Sequence, residues 1–479
     1  MSSSVHRPPP PRVVIVGGGL AGLAAASRLV GRGLQIRLLE SRPRLGGRAS
    51  SFVDPVTNEL VDNCQHVSMA CCTNLADFCT RVGIADLMRR EPEIVFLDRA
   101  GRVSRFRAGL LPAPLHLAGS FLKARFLGPL DKLAVARGLA ALARPLASPP
   151  GESFGQWLER HGQTPRAIEL FWATILVSAL NEELDRMDVG HARKVFLDGF
   201  LKNRIGFQPE IPLVPLGDLY GARLEKWLAQ NDVEVLLTTG VRSIEVDDEE
   251  GLVGVRTRSG RLMAADFVIL AVPFDRLADM IPEPLRERVW AVENAAALKA
   301  SPITGVHLWF DRPICPFDHV VTPGRLVQWV FNHTAIQGRS APGSPDSGRA
   351  QYLQLVVSAS YGLLGLDKVA IRDRVLEDLA DLWPEVRSAA LLRYWVVTEH
   401  GATFAVRPGV DYDRPRQRTG QDGLFLAGDW TATGWPATME GAVRSGYQAA
   451  EGVLQDLDQP TRLIRPDLPT GRLARWLLP

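Results

Sequence analysis

Three glycines and one acid are the first residues with an evident chemical use. Gly17, Gly19 and Gly22 follow the β-branched run at 13–16, and Glu40 lies 18 residues after Gly22, at the end of a second apolar run. In such a unit the first glycine allows a tight turn, the second lets a pyrophosphate approach the backbone, and the third lets a helix pack on the strand. The helix start attracts phosphate, and the acid accepts hydrogen bonds from ribose hydroxyls. The sequence therefore predicts a dinucleotide site in a strand–helix–strand unit.

A second glycine pair follows directly. The segment Glu40-Ser-Arg-Pro-Arg-Leu-Gly46-Gly47-Arg48 adds another bare backbone turn and a fixed cation near the same phosphates. It resembles the E-x-x-x-x-x-G-G-R signature of the flavin amine oxidase and phytoene desaturase superfamily, in which the dinucleotide is FAD. The resemblance implies FAD as the cofactor. It also implies an α/β, two-lobed oxidoreductase with a Rossmann-like FAD domain of the glutathione-reductase type and a mixed sheet-plus-helix substrate domain.

The resemblance assigns further residues to the cofactor site. Gly428 and Asp429 end a buried apolar run, and in the superfamily this pair lies beside the pyrophosphate and ribityl chain. Val241 follows a turn where the superfamily contacts adenine through its backbone. A helix is predicted from Met439 to about 457, and its start is expected to stabilise negative charge on a reduced flavin. The first-turn residues assigned to the site are Met439, Glu440, Gly441 and Ala442.

The order of elements predicts a discontinuous FAD domain. Strand-like runs with turns at 239–240 and 259–260 form a β-meander, and a run at 267–271 returns to the parallel sheet. A turn-rich surface loop is predicted at 339–348. The predicted division is an FAD domain at 10–95, 230–285 and 415–460, a helical insert at 96–229, a sheet-containing part of the substrate domain at 286–414, and a C-terminal tail at 461–479.

Composition excludes several classes. The 479 residues are 46% hydrophobic and 23% charged, which is typical of a globular protein and not of a disordered or fibrous chain. A net charge of +2 gives no bias toward nucleic acid. The amino terminus lacks an apolar export signal, and the five cysteines, four of them crowded at 64–79, have no zinc-ligand spacing. We therefore expect a reduced cytoplasmic protein without a metal site.

The segment 102–144 suggests contact with a membrane. It carries eight cations and one acid, interspersed with leucines and phenylalanines. A basic amphipathic stretch suits the surface of an anionic bilayer, so we predict peripheral attachment to the inner face of the plasma membrane. The alternative is an ordinary pair of helices with solvated arginines. The tail from 462 onward repeats the pattern with Trp476, and there the two interpretations are balanced.

Three further segments narrow the resemblance to one family. The stretches LAGDWTATGWPATMEGAVRSG (426–446) and VDNCQHVSMACC (61–72) resemble those of the hydroxysqualene dehydroxylases, as does PLVPLGDLY at 212–220. That family more often has glycine where this chain has Cys64. The resemblance implies reduction of hydroxysqualene to squalene with loss of water, by hydride from reduced FAD to an allylic carbon. The substrate would be an uncharged C30 isoprenoid in a long apolar tunnel.

Such chemistry needs a proton donor, for which we nominate Asp62 and His66, although either could be a structural residue.

The first alternative to a dehydroxylase is a carotenoid-type desaturase acting on phytoene or dehydrosqualene. A flavin amine oxidase usually cages an amine between aromatic rings, and the Trp435 region offers one aromatic residue without an evident partner. Rab escort and GDP-dissociation-inhibitor proteins resemble this fold without holding flavin. Since no second glycine fingerprint exists, the external electron donor is not a nicotinamide bound in its own Rossmann domain.

Overall fold

The computed structural model describes residues 9–146, 148–247, 251–339 and 350–478. The predicted loop at 339–348, apart from its first residue, lies outside these ranges. So do the first eight residues, which contributed to the expectation about export.

A five-stranded parallel sheet forms the centre of the domain that is predicted to bind FAD. Its strands, in spatial order, are Val233–Leu236, Gln35–Leu39, Arg12–Val16, Phe267–Leu270 and Leu424–Leu426. All four pairings are parallel. The strands are nearly continuous apolar runs because helices cover both faces of such a sheet. This is the predicted Rossmann-like sheet, and its strands come from both ends of the chain.

Two helices from opposite ends of the chain pack against each other beside this sheet. They are Leu20–Leu29 and Met439–Asp456. At their crossing, a Cβ on Gly446 would lie 2.2 Å from the carbonyl oxygen of Ala21, so only glycine allows this approach. The carboxyl-terminal helix is thereby held against the helix that follows the phosphate-binding turn.

Three smaller sheets surround this core. The predicted meander is an antiparallel sheet of Val241–Asp247, Gly251–Thr257 and Leu262–Ala264. A two-stranded sheet joins Ser51–Val53 to Leu60–Asp62. The third contains Ser68–Met69, Pro209–Pro212 and Met88–Arg90.

The second lobe contains a seven-stranded sheet. In spatial order its strands are Leu391–Phe404, Ala300–Phe310, Gln351–Ser358, Trp329–Asn332, His319–Val321, Glu93–Leu97 and Val103–Arg107. The last two precede the segment predicted to hold the sheet, and Glu93–Leu97 spans the predicted boundary at 95. In Val103–Arg107, Ser104 and Phe106 point inward while the arginines point outward. This period of two explains why part of the stretch at 102–144 is a strand and not a helix.

The remaining helices pack around both lobes. Between 115 and 230 the helical segments are Leu115–Leu117, Ala118–Leu122, Pro129–Ala143, Phe154–Arg160, Pro165–Ala167, Ile168–Ala173, Thr174–Leu180, Leu184–Arg186, Val189–Lys194, Val195–Leu201, Gly217–Ala222 and Arg223–Gln230. The others are Thr73–Arg81, Ala85–Leu87, Phe274–Arg276, Leu277–Met280, Glu283–Arg286, Ala291–Ala297, His333–Gln337, Ser360–Leu363, Lys368–Ala380, Pro384–Arg387, Val410–Asp413 and Arg472–Leu477. In the described ranges, none combines the length and apolar character needed to traverse a bilayer.

The tail connects the two lobes. Backbone N–H groups of Leu463 and Ile464 donate to Glu451 on the carboxyl-terminal helix. Further along, the N–H of Gly471 donates to the carbonyl oxygen of Lys202 in the helical insert, at 2.8 Å. The tail therefore crosses from the predicted FAD domain to the second lobe.

Candidate functional site

One continuous cavity of about 1010 Å³ runs from the phosphate-binding turn into the substrate lobe. Of the predicted cofactor residues, those that line it are Gly17, Gly19, Glu40, Gly46, Gly47, Arg48, Val241, Gly428, Asp429, Met439, Glu440 and Ala442. Its volume is at the upper end of the range for small-molecule sites, about 300–1,000 Å³. Residues from every predicted piece of the FAD domain thus meet around one space.

The phosphate-binding turn is as tight as its glycines suggest. Gly17 has φ +110°, and a Cβ on it would lie 2.3 Å from the carbonyl oxygen of Ala271. A Cβ on Gly22 would lie 2.0 Å from the carbonyl oxygen of Gly17. Gly22 therefore supports the turn from behind and does not itself line the cavity. No described side chain caps the following helix, which begins at Leu20, so its first N–H groups are free for a phosphate.

The second glycine turn rests directly on the first. The N–H of Gly46 donates to the carbonyl oxygen of Gly18 at 2.8 Å, and a Cβ on Gly47 would approach Gly19 Cα to 3.0 Å. The next residue, Arg48, donates to Asp429 Oδ1 at 2.5 Å and to the carbonyl oxygen of Ala402 at 2.7 Å. Burial lowers the pKa of Arg48, but the Asp429 carboxylate outweighs it, so the pKa is raised overall. Arg48 is therefore a permanent cation facing the cradle.

Glu40 is oriented before any ligand binds. Its Oε2 accepts from the N–H of Gly18 at 2.8 Å, and its Oε1 accepts from the N–H of Arg42 at 2.7 Å. Oε1 also accepts from the Ser41 hydroxyl at 3.1 Å, whereas Oε2 keeps a second lone pair to which a ribose hydroxyl can donate. Together with bare turns and a free helix start, this donor and acceptor set fits a dinucleotide.

The carboxyl-terminal helix also reaches the cavity, but the two residues after Met439 behave differently from the prediction. The Glu440 carboxylate is fully buried and turns away, accepting from the backbone N–H groups of Asn74 and Leu75. The N–H of Gly441 donates to the hydroxyl of Thr438, and Gly441 does not line the cavity. Only the backbone of Glu440 is therefore available to a cofactor.

The structure separates the two predicted proton donors. His66 lines the cavity, with Nδ1 2.9 Å from the carbonyl oxygen of Cys64. Because a carbonyl only accepts, Nδ1 carries the proton. Burial lowers the pKa of His66, and Arg48 lowers it further, so the ring is neutral with Nε2 as an acceptor. Cys64, at the position where the resembling family has glycine, also lines the cavity, and burial raises the pKa of its thiol to about 12.

Asp62 lies behind the wall. Its Oδ1 accepts from the Ser51 hydroxyl at 2.5 Å and from the N–H of Leu216 at 2.9 Å, and the residue is 1% exposed. Burial raises the pKa of Asp62 to about 6. It does not line the cavity, so this geometry argues against direct proton transfer from Asp62 to a bound substrate. Asp62 and His66 share one segment, but the strand ends at Asp62 and the chain then turns.

The far half of the cavity is an apolar wall, whose individual residues were not predicted from the sequence. Its apolar side chains come from the seven-stranded sheet and from the helices at 174–201: Ile94, Phe96, Ile175, Val195, Phe200, Ile303, Val321, Trp329, Phe331 and Val356. Residues two apart on a strand, such as Trp329 and Phe331, face the same side. The apolar strands were visible in the sequence, but which face they presented depended on pairing across the lobe.

Polar groups at this wall were also missed. Glu399 lines the cavity on Leu391–Phe404, opposite Ile303 in the neighbouring strand. Lys194 lies 4.5 Å from the centre of the Trp435 ring and donates to Asp198 at 2.7 Å. Glu399 and Lys194 lie outside every motif, so no local sequence pattern could have indicated that they line the cavity.

We predict that Asp62→Asn changes how stability depends on pH. The proton binds more tightly to the folded state, so this group contributes stability below its unfolded pKa near 3.8 and loses it as pH rises to about 6. This difference of about two in pKa corresponds to about 3 kcal/mol of the free energy of unfolding at pH 7. Urea unfolding should show the variant gaining free energy of unfolding relative to the wild type between pH 4 and 7, while retaining FAD.

A control of opposite sign is available at Asp266. Its hydrogen bond with Arg12 lowers its pKa, so Asp266→Asn should lose stability relative to the wild type as pH rises. A stability difference for Asp62→Asn that does not vary with pH would contradict the assigned burial.

Comparison with known proteins identifies the family. Residues 20–454 match the flavin-containing amine oxidoreductases. The 15-cis-phytoene desaturase of an Oncidium hybrid cultivar is 28% identical over 473 residues, covering 92% of this chain and 77% of that protein. The zeta-carotene desaturase of Zea mays is 26% identical over 471 residues, covering 90% and 81%.

Solved structures show the same fold. An oxidoreductase from Methanosarcina mazei superimposes with a TM-score of 0.69 at 18% identity, covering 93% of this chain and all of that one. Cyclohexylamine oxidase from Brevibacterium oxydans gives 0.66 at 18% identity, covering 94% of this chain and all of that one. The family uses flavin, so FAD is the cofactor, and the cradle formed by Gly17, Glu40, Arg48 and Asp429 is the candidate site for it. The chain belongs to the flavin-containing amine oxidoreductase family and is a flavin-dependent oxidoreductase.

Proposed function

We propose that the protein catalyses reductive dehydroxylation of hydroxysqualene to squalene. The observation that carries the proposal is the apolar wall, which continues without interruption from the FAD cradle. An uncharged isoprenoid chain buries its surface against such a wall at about 25 cal/mol per Å². The resemblance of 426–446 and 61–72 to the hydroxysqualene dehydroxylases supports this particular substrate.

The reaction balances within the site. The allylic C–O bond breaks, a C–H bond forms at the same carbon, and a proton joins the leaving oxygen to give water. Bound FAD in its reduced form supplies the hydride and hence both electrons. The apolar side chains position the carbon and exclude water, which would otherwise trap a cationic carbon. The protein must also provide a proton at the departing oxygen.

Glu399 is the carboxyl best placed to hold that proton. The other acidic residues that line the cavity have carboxylates engaged by cations or backbone N–H groups: Glu40, Asp198, Asp279, Asp429 and Glu440. Within the part of the chain that the structure describes, the Glu399 side chain makes no hydrogen bond and lines the cavity, so it can bond to the hydroxyl of a bound substrate. Its acid form can protonate an alcohol oxygen.

Carotenoid-type desaturation is the second candidate. Two observations favour it: the phytoene and zeta-carotene desaturases are relatives over nine-tenths of the chain, and neutral His66 presents an acceptor nitrogen to the cavity. Desaturation removes a hydride and a proton from the substrate, so it needs a base and an oxidised flavin. The same apolar wall would bind either substrate.

Amine oxidation has less support. The Trp435 ring is already contacted by two cations of the chain itself, Lys194 at 4.5 Å and Arg444 at 5.0 Å from its centre. A protonated amine substrate at this ring would meet both positive charges.

The function is tested by one anaerobic turnover. The bound flavin is photoreduced, hydroxysqualene is added, and flavin reoxidation is followed while squalene is assayed by mass spectrometry. We expect squalene in step with oxidised flavin. Reduced flavin that persists with hydroxysqualene, together with oxidised flavin that bleaches with phytoene or dehydrosqualene, would establish desaturation instead.

In the same assay, Glu399→Gln should slow flavin reoxidation by about 100-fold or more, because general acid catalysis contributes roughly that much. The flavin content should remain that of the wild type, since Glu399 makes no hydrogen bond in the described cradle. Glu234→Gln, which affects a carboxylate on the outer strand of the parallel sheet, serves as the control. Wild-type turnover in Glu399→Gln, with a slow His66→Ala, would transfer the role to His66.

We also propose that the surface at 102–144 rests on an anionic bilayer, such as the inner face of the plasma membrane. Leu110, Leu122 and Leu130 are 100%, 67% and 76% exposed, and the same segment carries exposed arginines. Trp476 on the tail, 81% exposed, follows Gly471, whose Cβ position is 3.4 Å from Ala113. A surface that combines exposed apolar side chains with cations suits the membrane interface, between the lipid headgroups and the acyl chains.

Co-sedimentation with vesicles tests this attachment. Binding to vesicles rich in phosphatidylserine should exceed binding to phosphatidylcholine vesicles and should fall several-fold in the double variant Leu110→Asp, Leu122→Asp. Leu262→Asp, an exposed leucine on the meander, is the matched control. Equal binding of all three proteins would contradict the proposed surface.

A further inference from the structure

Arg414 is a buried arginine that no motif indicated. Its side chain is 1% exposed and stacks over Phe404, with its guanidinium carbon 4.8 Å from the ring centre. Nη2 donates to three backbone carbonyl oxygens, those of Thr431 at 2.6 Å, Trp435 at 2.7 Å and Asp429 at 3.1 Å. Nε donates to a fourth, and Nη2 also reaches a threonine hydroxyl.

These acceptors all belong to the loop at 428–438, between the last strand of the parallel sheet and the carboxyl-terminal helix. The loop lines the cavity through Asp429, through Trp435 and through the residues that follow it up to the helix. Its carbonyl groups are buried, and without a donor each would be left unpaired at a cost. One planar guanidinium satisfies four of them in a geometry that no other side chain offers.

The third guanidinium nitrogen of Arg414, Nη1, connects the loop toward the helix Val189–Lys194. Nη1 donates to Asp411 at 2.8 Å, and the same carboxylate oxygen lies 3.3 Å from His191 Nε2. His191 belongs to Val189–Lys194, the helix whose last residue lines the cavity. Arg414 therefore joins the FAD-binding loop to the helical wall of the substrate half.

We propose that Arg414 is a positioning residue for FAD, which acts by holding the loop at 428–438 so that Asp429 meets Arg48. This role is independent of the substrate and of the direction of the reaction. It assigns to Arg414 a share of the cofactor affinity, although Arg414 itself does not line the cavity.

The test uses the holoprotein and the rate of FAD release, followed by the rise in flavin fluorescence after dilution. We expect Arg414→Met to release FAD roughly 10- to 100-fold faster than the wild type, because several bonds to a charged group are lost. Arg414→Lys keeps the charge but cannot reach all four carbonyls, so its rate should be intermediate. Asp429→Ala, which removes the Arg48 partner, should be flavin-poor and is the positive control.

Arg325 provides the matched control. Its side chain is 5% exposed, donates to the carbonyl oxygen of Asp378 at 2.6 Å, and does not line the cavity. Arg325→Met should lower the Tm to a similar degree with wild-type FAD release. Equal acceleration in Arg325→Met, or wild-type release from both Arg414 variants, would overturn the proposal. If Arg414→Met does not fold, the release rate of Arg414→Lys decides alone.

Discussion

The ion pair between Arg48 and Asp429 joins residues 381 positions apart, and the rest of the candidate FAD site is arranged around it. Arg48 is fixed because the Gly46–Gly47 turn lies on the phosphate-binding turn. Asp429 is fixed because its strand completes the parallel sheet and its loop is anchored from behind. If either partner moved, a buried charge would face the cradle alone, which is costly. The close approach of backbones at the glycines therefore serves the placement of these two charges.

The local part of this arrangement could be predicted from sequence. A glycine spacing that allows one turn, followed by an apolar helix and an acid, has few other structural solutions, and the strands on both sides lie where their apolar runs indicate. Family resemblance extended the prediction to Arg48 and Asp429. The glycine turn and Glu40 are set by short-range backbone geometry, whereas Arg48 and Asp429 were assigned through the resemblance; all of them line the cavity except Gly22.

The remainder depended on contacts between distant segments. Glu399 reaches the cavity because its strand pairs with Ala300–Phe310 in one register, and a shift by one residue would turn it to the other face. Asp62 and Glu440 were predicted to be site residues because they lie within motifs, but both carboxylates are buried in the protein behind the cavity wall. In both cases neighbouring backbone N–H groups bind the carboxylate away from the cavity. The alternation in Val103–Arg107 was obscured by basic residues, which a strand and an amphipathic helix expose equally well.

The sheet order has a consequence for biosynthesis. Leu424–Leu426, Asp429 and the helix Met439–Asp456 are synthesised long after the glycine turn at 17–22, yet they form one wall of the cradle. Until then the parallel sheet ends at Phe267–Leu270, with an unpaired apolar edge, and the helix Leu20–Leu29 lacks its main neighbour. The cradle therefore cannot be complete before this helix has been synthesised, and until then the nascent protein carries an incomplete sheet edge that chaperones or rapid elongation must protect.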